Sequence, residues 1–240
     1  MNILKAFALA WNMLSILPLF KVHDFYKGIN GYSAMFYPLV GFLIGSLLWA
    51  AHTLLQDFVP PLHLNVIIFT LWVVLTGALH IDGFSDSVDG LFVPKEKSLE
   101  VMKDSHVGAM GMTFTFVFLA LKLSSVIYLE AFYLLPIILM LSRFNAIIVI
   151  YFYPYISQGV GQLLKTELEK KHLLIALFYT LVLGVTFNFT SALLVSVITA
   201  IICATLFTKR LGGLNGDIYG FIIEVTELIL LNYIIVTYCL

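Results

Sequence analysis

Long apolar stretches alternate with short polar ones along the chain, and the apolar stretches set its architecture. Runs near residues 32–55, 62–81, 112–130, 132–152, 172–188, 190–208 and 218–239 each approach the roughly 20 residues a helix needs to cross hydrocarbon at about 1.5 Å per residue. Stretches such as "FIIEVTELILLNYIIVTYCL" lack the period-two alternation of a membrane β-barrel strand. The pattern predicts an all-α integral membrane protein, a polytopic bundle of about seven transmembrane helices forming a single domain over residues 1–240. Residues 1–20, "MNILKAFALAWNMLSILPLF", are apolar too. A lone Lys5 precedes the run, no small-x-small cleavage site follows, and Pro18 and Lys21 close it. This segment is expected to be a helix at the interface, with Trp11 as its anchor.

The cations confirm the register of these spans. Lys5, Lys21 and Lys27 precede the first, Lys95, Lys97 and Lys103 follow the second, Lys165, Lys170 and Lys171 follow the fourth, and Lys209 and Arg210 follow the sixth. The connections "QDFVPPLH", "EAFYLL" and "NFT" carry none. Eleven of the 13 Lys and Arg residues therefore share one side, which the positive-inside rule makes cytoplasmic; the expected location is a bacterial inner membrane. Three polar segments, "HIDGFSDSVDG", "MKDSHVGAMG" and "KRLGGLNGD", fall on that same side, so the candidate site faces the cytoplasm.

Composition agrees: 61% of residues are hydrophobic and 11% charged, against about 25% charged in a soluble domain. A net charge of −1 offers no basic surface for nucleic acid. Cys203 and Cys239 lie inside apolar runs without metal-ligand or disulfide spacing and read as inert packing residues. No internal repeat or low-complexity tract is present.

What stands out against this background is acid. Asp82, Asp86 and Asp89, spaced i, i+4, i+7, share an arc of roughly 60° on one helix face. Like charges so placed repel, and the arrangement makes sense around a divalent cation. Oxygen-only ligands favour Mg²⁺, which keeps waters and bridges to phosphates. Gly83 and Gly90 flank the group. A Ca²⁺-binding EF loop is excluded by spacing and by its missing Glu. The plainer alternative, acids favoured by a helix N-terminus, accounts for one or two of them but not for a whole face beside Phe84, Val88 and Leu91. His80 is as well explained by a structural hydrogen bond as by a role as base.

Asp217, Glu224 and Glu227 line one side of the last span, and the two glutamates need partners or a polar cavity. Gly212, Gly213 and Gly216 precede that helix; they suit either backbone N–H groups turned to an anion or a tight turn with an N-cap. Lys122 and Arg143 sit inside apolar spans, so they pair with Glu224 and Glu227 or grip phosphate oxygens; Lys122 alternatively extends toward water. Asn145 adds a possible hydrogen bond beside Arg143. Asp104 and Ser105, with Gly108 and Gly111, form a loop expected to return to the site, though alone it reads as a turn and helix cap.

Such a set suits displacement at a pyrophosphate, where charge neutralisation and alignment do most of the work. Three classes remain: a CDP-alcohol phosphotransferase, a membrane prenyl transferase, and a transporter using intramembrane acids. The Ala-Arg of the first is missing, the second acidic helix lacks an Asp four residues after Asp217, and no repeated halves support the third.

Taken together, "GALHIDGFSDSVDGLF", "MKDSHVGAMG", "LSRFN" and "RLGGLNGDIYGFIIEVTELILL" resemble the cobalamin synthase family, the adenosylcobinamide-GDP ribazoletransferases. The resemblance extends to "FYPLVGFLIG" and "LALKL" and runs in order through nearly the whole chain. It departs at Asn215, where the family usually has Thr, and at "LSILPLF", which lacks the usual Thr-Arg-x-Pro arginine. The resemblance implies Mg²⁺-dependent joining of adenosylcobinamide-GDP to α-ribazole or its 5′-phosphate, with release of GMP. By the same resemblance Asp82, Asp86, Asp89 and Asp217 hold metal. His80 or a nearby carboxylate, Asp82 or Asp86, takes the hydroxyl proton. Arg143 and Lys122 steady the pyrophosphate, with Asp104, Ser105, Gly212, Gly213, Asn215, Glu224 and Glu227 completing the substrate site.

Overall fold

The computed structural model describes residues 3–19, 21–23, 25–187 and 189–238. Cys239 and the end of the last predicted span lie outside the described residues. Twelve α-helices follow in order: α1 (Ile3–Leu14), α2 (Ile29–Ala34), α3 (Tyr37–Leu55), α4 (Pro61–Leu75), α5 (Leu79–Leu91), α6 (Lys95–Val101), α7 (Ala109–Ile127), α8 (Leu135–Phe152), α9 (Val160–Glu167), α10 (Lys170–Thr186), α11 (Thr190–Leu211) and α12 (Gly216–Tyr238). A 3₁₀ turn, Phe132–Leu134, leads into α8. Among the described residues there is no β-strand, only an isolated bridge between Tyr155 and Leu214.

All seven predicted spans are helical, but by length and composition five or six qualify to cross a membrane. The first, third, fourth, sixth and seventh do so outright. The fifth, α10, has 17 residues, at the short limit. The second is broken: α4 runs for 15 residues, and after Thr76 the chain turns by 80° into α5. Gly77 (φ 61°) and Ala78 (φ 55°) are both left-handed, a conformation that ends a right-handed helix. The predicted continuation to residue 81 therefore belongs to α5, the helix that carries the aspartates.

The core is organised around α8, whose residues are buried on every side. α3 packs on it backbone to backbone. A Cβ on Gly41 would collide with the Leu139 carbonyl, and one on Gly45 would lie 2.5 Å from the Pro136 Cα. This is the small-xxx-small spacing that lets apolar helices approach closely without a hydrophobic driving force. α10, α11 and α12 cover other sides of α8.

α1 is a helix of 12 residues, about 18 Å long and too short to cross a bilayer. Trp11 does not anchor it outward. Its ring is buried, packs against Phe7 at 6.2 Å, and its Nε1 donates to the Leu17 carbonyl at 2.8 Å. Burying the indole against the irregular segment that follows α1 satisfies its one donor, and so it serves the bundle rather than an interface. α9 is tied back by Lys165, whose Nζ donates to the Ile150 and Tyr151 carbonyls at the end of α8, where a cation complements the helix dipole.

Candidate functional site

The site is built where α5 crosses the start of α12. The crossing is set by glycine. A Cβ on Gly83 would lie 2.8 Å from the Asp217 carbonyl oxygen, and one on Gly220 would lie 3.1 Å from the His80 carbonyl oxygen. Both helices run at backbone contact, so Asp82 and Asp86 on α5 come beside Asp217 in the first turn of α12. Asp82, Asp217 and Asp89 all lie within electrostatic reach of Asp86. Asp82 is exposed, and Asp86 and Asp217 are half-buried.

Asn215 prepares the start of α12. Its Oδ1 accepts from the Ile218 N–H at 3.0 Å, closing the helix as an N-cap, while its Nδ2 donates to Asp217 Oδ2 at 2.8 Å. One amide thus caps the helix and orients a carboxylate. The preceding glycines have structural reasons. Gly212 is left-handed (φ 91°) and ends α11. Gly213 presses on the Pro154 carbonyl, 2.7 Å from a would-be Cβ, and the Ile156 N–H donates to the Leu214 carbonyl at 2.9 Å. The tight-turn reading of Gly212 and Gly213 is the one the geometry displays. This pairing also brings Tyr155 toward Asp217. Burial raises the Tyr155 hydroxyl pKa, and the Asp217 charge adds to the shift.

Asp89, one turn further along the same face, is already engaged. Its two oxygens accept from the Gly108 and Gly111 N–H groups, each at 2.7 Å, at the N-terminus of α7. A Cβ on either glycine would collide with that carboxylate. Asp89 is thereby a helix cap, buried to 7% exposure, and both its oxygens are engaged. Asp104 and Ser105 are exposed on the loop before α7. Asp104 accepts from His106, from the ring nitrogen at 2.7 Å and the backbone at 3.0 Å, and these bonds hold its carboxyl below the usual range.

Lys122 and Arg143 pair with acids instead of reaching a surface. Lys122 Nζ donates to Glu224 at 2.6 Å and Glu227 at 2.5 Å, and stands 4.4 Å from the Trp72 ring centroid. Arg143 donates to Glu227 and, at 2.8 Å, to the Ser142 hydroxyl. All four charged groups are at most 3% exposed. The network is a buried tie between α7, α8 and α12, close to charge balance. Arg143 reaches one step further: its NH2 lies 3.4 Å from His80 Nδ1. Asn145 donates to the Ser196 carbonyl at 2.8 Å, joining α8 to α11.

Among the described residues no group of three or more His, Cys, Asp or Glu side chains is placed so that it could hold a metal ion by itself. The donor set nonetheless fits Mg²⁺: Asp82, Asp86 and Asp217 supply oxygen only, and this ion commonly uses one or two carboxylates with waters and substrate phosphates. Lys103, exposed, lies within electrostatic reach of Asp217. Sequence reasoning counted Lys103 only as a topological marker and gave no weight to Tyr155 or Tyr219. The Gly213 contact with the Pro154 carbonyl, which brings Tyr155 to the start of α12, joins distant parts of the chain and leaves no local signature.

Fold and site together define a polytopic helical membrane protein that gathers acidic side chains on one face of its bundle. The chain belongs to the cobalamin-5-phosphate synthase family, whose description matches residues 6–235. It is 38% identical over 213 residues to an adenosylcobinamide-GDP ribazoletransferase of Desulfitobacterium hafniense, covering 83% of this chain and 84% of that one. It is 36% identical to the protein of that name from Thermosynechococcus vestitus, over 83% and 84% of the two chains. A third relative so named, from Acinetobacter baumannii, is 32% identical over 97% of both. No solved structure matches.

Proposed function

We propose that this chain is an adenosylcobinamide-GDP ribazoletransferase, one membrane-embedded domain over residues 1–240 whose site faces the cytoplasm from the inner membrane. The substrates are adenosylcobinamide-GDP and α-ribazole or its 5′-phosphate; the products are adenosylcobalamin, or its 5′-phosphate, and GMP. The observation that carries the reading is the convergence of Asp82 and Asp86 with Asp217 across the Gly83 contact. Family membership and the relatives' names support it.

The reaction is a displacement at phosphorus. A ribose hydroxyl oxygen of the acceptor bonds to the cobinamide-side phosphorus, the bond from that phosphorus to the bridging oxygen breaks, and GMP departs with that oxygen. Mg²⁺, when bound by Asp82, Asp86 and Asp217, neutralises the pyrophosphate and the departing charge. A carboxylate of this cluster takes the hydroxyl proton. His80 is the poorer candidate for that task. A guanidinium can only donate, so Arg143 requires His80 Nδ1 to accept, and the neutral ring then carries its proton on Nε2. Lys103 supplies positive charge on the open side, while Lys122 and Arg143 act from a distance by fixing α7 and α8 against α12.

The test is an assay of the purified chain with adenosylcobinamide-GDP and α-ribazole, with and without Mg²⁺. Stoichiometric GMP and the joined corrinoid are expected only with the metal. Release of pyrophosphate from an isoprenoid donor instead, or of neither product, rules the reading out.

A further inference from the structure

Two cavities adjoin where α1, α2 and α9 come together, away from the carboxylates. The first, of about 780 Å³, is lined by Lys5, Lys27 and Lys171, with Tyr32, Glu167 and Glu169. The second, of about 590 Å³, is walled by Leu9, Met13, Ile29 and Leu163. Phe25, Tyr26, Lys27 and Glu167 border both, so a cationic cavity and an apolar one meet there. Cations beside hydrocarbon suit a ligand that is itself anionic at one end and apolar along the rest.

The two acids are already engaged within the protein. Glu167 Oε2 accepts from the Asn30 backbone N–H and from its Nδ2, each at 2.9 Å, tying α9 to α2. Glu169 caps α10 in a box completed by His172. Three lysines against two glutamates leave one positive charge among these lining residues. Lys171 donates to Glu169 at 2.8 Å, but both side chains are at least half exposed, and such a pair is weak enough to yield to a phosphate. The location fits as well. α1 is too short to cross a bilayer, and Ile3, Leu4, Ile16, Leu19 and Phe25, on it and on the segment after it, are exposed. Exposed apolar side chains next to lysines belong at the boundary of headgroups and acyl chains. A free phosphate ion would use the first cavity and leave the second unfilled. A zwitterionic lipid would leave the excess positive charge unanswered.

We infer that the two cavities form one site for an anionic phospholipid, with its phosphate among Lys5, Lys27 and Lys171 and an acyl chain along Leu9, Met13, Ile29 and Leu163. The lipid then joins α1 to α9, two elements that no backbone ladder connects. Met13 and Val160 also line a third cavity, of about 230 Å³, which Asp82 and Asp217 border. A bound acyl chain is therefore a packing neighbour of the wall beside the carboxylates. The inference stands apart from the transferase reading, because it concerns different residues and a different ligand.

The experiment titrates dioleoyl phosphatidylglycerol and dioleoyl phosphatidylcholine into the full-length chain in detergent and counts retained lipid by native mass spectrometry. Phosphatidylglycerol is expected to bind the more tightly, by about fivefold or more. Lys27→Ala with Lys171→Ala should weaken phosphatidylglycerol by about fivefold for each lysine and leave phosphatidylcholine unchanged, while the two Lys→Arg changes together should keep the wild-type preference. Leu163→Trp, which fills the apolar half, should weaken both lipids. Thermal melts should follow the same order, because a ligand bound only to the folded chain stabilises it. Inorganic phosphate and glycerol 3-phosphate, which share the headgroup chemistry without the chains, should not displace the lipid at equal concentration. Displacement by either would make this an anion site and overturn the proposal. Equal binding of the two lipids, or phosphatidylglycerol binding undiminished in both the lysine and the Leu163 variants, would overturn it too. None of these readouts needs turnover, so failure of the transferase assay leaves them unaffected.

Discussion

Gly83 and Asp217 touch with no room for a methyl group between them: the Asp217 carbonyl oxygen lies 2.8 Å from where a Cβ at position 83 would be. This contact joins the two acidic helices, and its loss is the most direct test of the site. Gly83→Ala forces backbone to move, at about 1–3 kcal/mol of stability. Separating the carboxylates by even about 1 Å should slow transfer by roughly 100-fold. Turnover of the purified variant, beside its thermal melt in detergent, checks both.

Asp82→Ala and Asp86→Ala are expected to abolish transfer while leaving insertion and the melting profile near wild type, since among the described residues neither carboxylate has a partner whose loss would strand a buried group. Chelation of divalent ions should stop the wild type and added Mg²⁺ restore it. Near-normal turnover by either variant would remove the metal assignment.

Asp89→Ala should behave differently. Two N–H groups at the start of α7 lose a charged acceptor, so the variant should melt early, with a loss of about 2–3 kcal/mol. Its residual activity should show the wild-type Mg²⁺ half-saturation. A raised Mg²⁺ requirement with unaltered stability would instead place Asp89 among the metal ligands.

Lys122→Met strands Glu224 in the bundle and leaves Glu227 to Arg143, at a cost of about 3–5 kcal/mol. Adding Glu224→Gln should recover part of that loss, because the remaining acid still has Arg143. Thermal melts of the single and double variants measure the coupling. A double variant no more stable than the single would show the network to be energetically idle.

Much of this arrangement was legible in the chain. Helix positions followed from run length, and the convergence of acidic segments on one face followed from where the lysines fall. The pairing of Lys122 and Arg143 with Glu224 and Glu227 was one of two readings; burial selects it, because unpaired charges at that depth are too costly. The break after Thr76 was not legible, since a left-handed Ala78 is dictated by tertiary contacts, including the Ile16 N–H donating to the Leu75 carbonyl at 2.9 Å. Asp89 shares the i, i+7 spacing of a ligand set, yet its role depends on two glycines about 20 residues away, which only the fold brings near.

The enclosure of α8 has a further consequence for motion. A helix clamped by glycine contacts on α3 and by charged ties to α12 leaves little slack for hinging at the centre of the molecule. Movement must then fall to the periphery, where α9 buries a single side chain, Leu164, and is held to the end of α8 by Lys165.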